Sequence, residues 1–169
     1  MPNPTEVPKK QVFIRAYRES NALTRALAIL KDHPQLEVKP TLIVKVGQKE
    51  LTHESLLASH EKLKDSWHHL WHNTPDQRIF FQNTIGTFSV IGALARIFHN
   101  KIGGIHLAEM INGPANILKG LGLSETDTSS HLQSLTDGEH LLIVRLFTHE
   151  LELFETALNG LDDQSLSIL

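Results

Sequence analysis

The chain has 169 residues, sixteen Lys plus Arg against nineteen Asp plus Glu, eleven His and no Cys, for a formal charge of −3. A single core at this length buries roughly two-thirds of the surface an unfolded chain exposes, so neither a metal nor a disulfide is required for folding. The missing Cys exclude thiol nucleophiles, zinc ribbons, iron–sulfur ligation and disulfide frameworks, and the acidic balance speaks against broad phosphate neutralisation of nucleic acid, which needs a basic excess.

Residues 1–10 hold three prolines and no apolar stretch, the pattern of a flexible leader and not of a secretion signal, so a cytoplasmic protein is expected. Residues 11–17 alternate, with Val12, Ile14 and Ala16 on one face, which predicts a strand. Over residues 20–32, Leu23, Ala26, Leu27 and Leu30 fall at i, i+3, i+4 and i+7, the spacing of an amphipathic helix that His33-Pro34 ends. Residues 37–46 predict a second strand, its first half confined to an edge or bulge by Pro40 and its end marked by Gly47. Strand, helix and strand in so short a span make a βαβ unit.

Thr52 can cap a helix to about residue 72, with Leu56, His60, Leu63, Trp67, Leu70 and Trp71 along one stripe. Thr74-Pro75-Asp76 signals a restart, and the next helix is expected to reach about residue 100 before Gly103-Gly104 breaks it. Residues 105–111 predict a short helical piece and residues 115–121 a further turn or two, separated by Gly113-Pro114. Ser124 opens a helix through about residue 135, and Asp137-Gly138 turns the chain. Residues 139–147 have the continuous apolar centre of a strand covered on both faces or central in its sheet. Thr148 caps a last helix carrying Leu151, Phe154 and Leu158, stopped by Asn159-Gly160 ahead of a mixed tail at residues 161–169. The pattern is β-α-β, a helical insertion over residues 52–121, then β-α. It predicts a single α+β domain over residues 11–160, with helices on one face of a small sheet that the last strand must join.

The run Leu118-Lys119-Gly120-Leu121-Gly122-Leu123-Ser124-Glu125-Thr126-Asp127, followed by a helix and Leu135-Thr136-Asp137-Gly138-Glu139-His140-Leu141-Leu142-Ile143-Val144, resembles the bacterial heat-induced general stress protein family. There a helix start leads through an amphipathic helix and a glycine turn into an apolar strand. Residues 12–30 look like the first βα of the same family. The resemblance implies a ferredoxin-like α+β core and brings no catalytic signature. Members carry a glycine-rich, very apolar hairpin in mid-chain, where this sequence keeps Gly86, Gly92, Gly103 and Gly104 among polar residues.

In Trp67-His68-His69-Leu70-Trp71-His72, His68 and His72 stand at i, i+4, a spacing at which two imidazoles reach one divalent metal. His53 and His60 precede them, and a third ligand would have to come from elsewhere, such as His99, His106, Glu109 or His149. The competing reading makes Trp67 and Trp71 core anchors with the histidines on the wet face, and no Glu completes the His-Glu-x-x-His pair of a metalloprotease. The main expectation is therefore no cofactor, with divalent metal or haem at His68 and His72 as the alternative. Eleven histidines also make acid sensing a candidate. Gly120-Leu121-Gly122 lacks the third glycine and preceding strand of a dinucleotide site and reads as a C-cap before an N-cap. Glu150, Glu152 and Glu155 read as a charged solvent face. No Gly-x-Ser-x-Gly elbow supports a hydrolase triad.

Residues 79–98 are the best candidate for an interaction element. Phe80, Phe81, Phe88, Ile91, Leu94 and Phe98 make the predicted helix apolar on more than one side, and Gly86, Gly92 and Ala93 permit close approach. Its cover is expected first from the domain's own sheet, next from a second copy, and last from a membrane surface, because Gln82, Asn83 and Arg96 interrupt it as a span. The sequence thus predicts a non-catalytic stress-associated or regulatory binding module that self-associates through this helix, with another protein as a possible partner and no nucleic acid.

Overall fold

Residues 140–147 send apolar side chains alternately to both faces of a strand, and that double burial governs the architecture. The computed structural model describes residues 10–32, 40–46 and 77–167. The elements are β1 Lys10–Tyr17, α1 Ser20–Asp32, β2 Thr41–Lys45, β3 Gln77–Gln82, β4 Gly86–Gly92, α2 Ala95–His99, β5 Lys101–Ile102 and β6 Ile105–His106. A 3₁₀ turn at Leu107–Glu109 follows, then α3 Gly113–Gly120, α4 Glu125–Thr136, β7 His140–Phe147 and α5 Thr148–Ser167. The main sheet has five strands in the order β1-β7-β2-β4-β3, and β5 and β6 form a separate hairpin. All four ladders of the main sheet are antiparallel.

The fold is α+β, and the last strand does enter the sheet begun by the first two. It lies between them, Ile14 opposite Ile143 on one side and Leu42 opposite Leu142 on the other. Two antiparallel steps leave β1 and β2 parallel to each other, as a helical crossover such as α1 requires. Helices cover both faces, not one as expected. Leu142, Val144 and Leu146 pack with Leu23, Ala26 and Leu27 of α1 and Phe154 and Leu158 of α5. Leu141 and Ile143 pack on the opposite side with Phe98 of α2, Leu118 of α3 and Leu135 of α4. A strand with two apolar faces leaves one wet unless both are covered.

The helix expected from Thr74-Pro75-Asp76 to about residue 100 is instead, where described, the β3–β4 hairpin followed by the five-residue α2. An apolar run fits a buried strand as well as a helix, and here the β-branched and aromatic residues settle it, helped by a turn that locks itself. Gln82 Oε1 accepts the N–H groups of Thr84 and Ile85, both at 2.8 Å, and Gly86 takes a positive φ of 93°. The first described part of the expected helical insertion therefore belongs to the main sheet. The expected helix over residues 52–72 lies outside the described residues.

Smaller departures have equally local causes. Residues 105–111 contain strand β6 and a 3₁₀ turn in place of a helical piece, because Gly103 and Gly104 adopt φ of 60° and 83° and fold β5 against β6. Residues 37–39 of the expected second strand lie outside the described residues; β2 starts just after Pro40 and runs between β7 and β4. Helix α5 continues through Asn159-Gly160 to Ser167, since an isolated glycine weakens a helix without ending it. Glu150 is buried rather than solvent-facing, its Oε1 accepting the Phe147 N–H at 3.0 Å, whereas Glu152 and Glu155 are exposed. Ser124 caps α4 as expected, its Oγ accepting the Asp127 N–H at 3.1 Å. Among the described residues, no helix is long and apolar enough to cross a membrane.

Candidate functional site

Chain segments between β4 and α4 build a cleft, and four polar contacts hold them in place. Leu94, just before α2, donates its N–H to Thr41 Oγ1 at 3.1 Å, tying the start of α2 to β2. The Asn100 carbonyl accepts the Leu107 N–H at 2.8 Å and closes the β5–β6 hairpin at its base. Glu109 Oε2 accepts the Phe81 N–H at 3.2 Å, joining the 3₁₀ turn to the outer strand β3. Gln82 Nε2 donates to the Ile111 carbonyl at 3.1 Å. Gly113 permits the closest approach, because a Cβ there would overlap the Leu107 carbonyl.

The resulting cleft has a volume of about 470 Å³. Its walls are apolar: Ile97 from α2, Ile102 from the hairpin, Leu107 and Met110 around the 3₁₀ turn, and Ile117 of α3 with Leu121 at its C-cap. Asn112 and Asn116 supply polar groups, and Asn112 occupies the N-cap of α3 without a side-chain bond to the helix. Gly120 completes the wall, with open space where its Cβ would stand. Ile102, at the hairpin tip, is 63 % exposed, and Ile111, beside the cleft, is 80 % exposed.

A second cluster lies where α2 and β6 meet β3. The rings of His99 and His106 stack with centroids 4.5 Å apart, and His106 Nδ1–H donates to the His99 carbonyl at 2.7 Å. Both rings neighbour that of Phe80, at centroid distances of 6.5 and 5.7 Å. Burial lowers the pKa of the half-covered His99, and the positive charges of Arg78, His106 and Lys101 lower it further.

His68 and His72, with His53 and His60, lie outside the described residues. Of the four candidate third ligands, His99 and His106 come together, Glu109 binds the β3 backbone, and His149 stacks on Phe147 at 5.7 Å. Among the described residues, no three His, Cys, Asp or Glu side chains gather as a metal site. The six proposed interaction residues divide sharply. Phe80, Phe88, Ile91, Leu94 and Phe98 are buried in the chain's own core, and Phe81 is 54 % exposed.

The cleft residues Ile97, Ile102, Met110 and Ile117 escaped sequence reasoning, because isolated apolar residues around glycines carry no periodicity. The usable signal was punctuation: Gly103-Gly104 and Gly113-Pro114 bracket the segment that forms the wall. Comparison with protein-family models, curated proteins and solved structures returned no match.

Proposed function

We propose that this chain is a non-catalytic binding module that takes a small, mostly apolar molecule into the cleft between α2, the β5–β6 hairpin and α3. The observation that carries this reading is the cleft itself. Its volume of about 470 Å³ lies within the ~300–1,000 Å³ of small-molecule sites. At about 30 Å³ per water-sized group, it accommodates roughly fifteen heavy atoms. An apolar lining with two carboxamides suits an alkyl or ring body bearing one hydrogen-bonding group, since burying such a body is favourable while an unpaired polar group would be costly. The stress-associated, regulatory setting rests on the sequence resemblance alone. The parallel β1 and β2 with β7 between them support a split βαβ arrangement of the ferredoxin-like kind.

A plugged cleft tests the reading. Gly120→Leu adds a side chain at the wall, where a Cβ meets open space. Medium-chain alcohols such as decanol should bind the native chain saturably and Gly120→Leu at least tenfold more weakly, with unchanged circular dichroism. Equal binding by both proteins would refute the assignment.

A second reading, self-association, draws support from Ile105 and Ile111, which are 54 % and 80 % exposed and do not line the cleft. A small ligand leaves them wet, whereas a second copy would cover them. Under this reading the solution mass is that of a dimer, and Ile111→Lys returns it to that of a single chain.

A further inference from the structure

We infer that Arg78, Lys101 and the stacked His99–His106 pair form a binding site for a tetrahedral oxyanion, a phosphate or sulfate group, separate from the apolar cleft. Three elements bring them together. Arg78 lies two residues before Phe80 and therefore on the same face of β3, the face on which both imidazoles pack. Lys101 pairs directly with His106 across the β5–β6 ladder. His106 stacks on His99 at the end of α2. Among the described residues, neither Arg78 nor Lys101 has an ion-pair partner.

The hydrogen bond inside the pair selects the ligand. Because His106 Nδ1–H is committed to the His99 carbonyl, Nε2 is the ring nitrogen left for an outside group. In the neutral ring, Nε2 is a lone pair and repels an anion; once protonated, it donates to one. Anion binding is thus coupled to proton uptake. Arg78 and Lys101 favour an anion and oppose a metal cation, which also lacks a third ligand among the described residues.

Positive charge prevails among the other groups around α2. The 3₁₀ turn contributes one carboxylate, Glu109, whose Oε2 accepts the Phe81 N–H, and β4 contributes no charged side chain. Helix α3 contributes Lys119, which lies 3.6 Å from Glu125, and α2 itself adds Arg96. The charges that perturb His99 are all positive.

The test uses the full chain in chloride at fixed ionic strength, with sulfate as the probe because its charge does not change across the histidine range. Histidine ring NMR signals are followed during the titration. Saturable shifts should be confined to His99 and His106 among the eleven histidines, and sulfate should bind roughly tenfold tighter with one imidazole protonated than with both neutral. Arg78→Gln and Lys101→Gln, both at exposed positions, should each weaken binding roughly fivefold. His106→Phe should keep the stack and abolish the pH dependence, while Lys119→Gln should change nothing. Comparing inorganic phosphate with methyl phosphate then identifies the natural form: equal affinity points to the free ion, tighter methyl phosphate binding to a monoester. Shifts spread evenly over surface histidines, no saturation, or preferential binding of zinc by the pair would overturn the inference.

Discussion

The imidazole of His106 lies against that of His99 and at the same time holds the His99 main-chain carbonyl through Nδ1–H, 2.7 Å away. One side chain therefore fixes both the position of β6 and the C-terminal end of α2. Ile97 on α2 and Ile102 on the hairpin are walls of the cleft, so this bond ties together two elements that carry its walls. His106→Ala should lower stability by about 1 kcal/mol, the usual net worth of such a bond, and weaken decanol binding. Unchanged urea unfolding and unchanged affinity would detach the cleft from the pair.

Acid should destabilise the fold through His99 and His131. Burial lowers the pKa of both; added positive charge reinforces the shift at His99, while Asp127 partly opposes it at His131. The unfolded chain then binds protons more readily than the folded one, so stability is fully present above the ordinary histidine value of about 6.5 and declines as pH falls through the lowered folded values. Urea midpoints measured in chloride should fall on acidification, and the double variant His99→Phe/His131→Phe should show a flatter profile. A rising profile would reverse the sign of the argument.

Two glycines at opposite ends of α3 should respond oppositely to alanine. At Gly113 the new methyl would run into the Leu107 carbonyl, so Gly113→Ala should cost about 2 kcal/mol or more. At Gly120 there is open space and φ is not positive, so Gly120→Ala should add roughly 0.5–1 kcal/mol. Chemical denaturation of the two variants reads both values.

Phe88 and Phe81 separate core packing from surface contact. Phe88 is fully buried, its ring 5.9 Å from that of Phe80 and 6.4 Å from that of Phe98, and Phe88→Ala should cost about 3–5 kcal/mol. Phe81→Ala, at a position 54 % exposed, should cost under about 1 kcal/mol. If Phe88→Ala left stability intact and only changed the mass in solution, the hairpin would be an interface and not a core.

Much of the frame was legible in the sequence, because β1 and α1 show clear periods, α4 lies between a capping serine and a glycine turn, and β7 has a continuous apolar centre. The bounds of α1 follow from its leucine spacing, and the burial of β7 on both faces follows from its continuous apolar centre. The β3–β4 hairpin is not legible, because its apolar run suits a helix as well as a strand, and the deciding turn is made by the side chain of Gln82, which carries no conventional turn signal. The cleft was hidden for another reason. Its walls come from four short pieces joined by long-range bonds such as Gln82 to Ile111, and no local pattern encodes that closure.

The most direct test of the binding role is a methyl NMR titration of the native chain with decanol. Saturable shifts should appear at Ile97, Ile102, Leu107, Met110, Ile117 and Leu121, leaving the methyls of Leu23, Leu27 and Leu158 on the far side of the sheet unmoved. Shifts centred on that far layer, or none at all up to the solubility of the alcohol, would contradict the account.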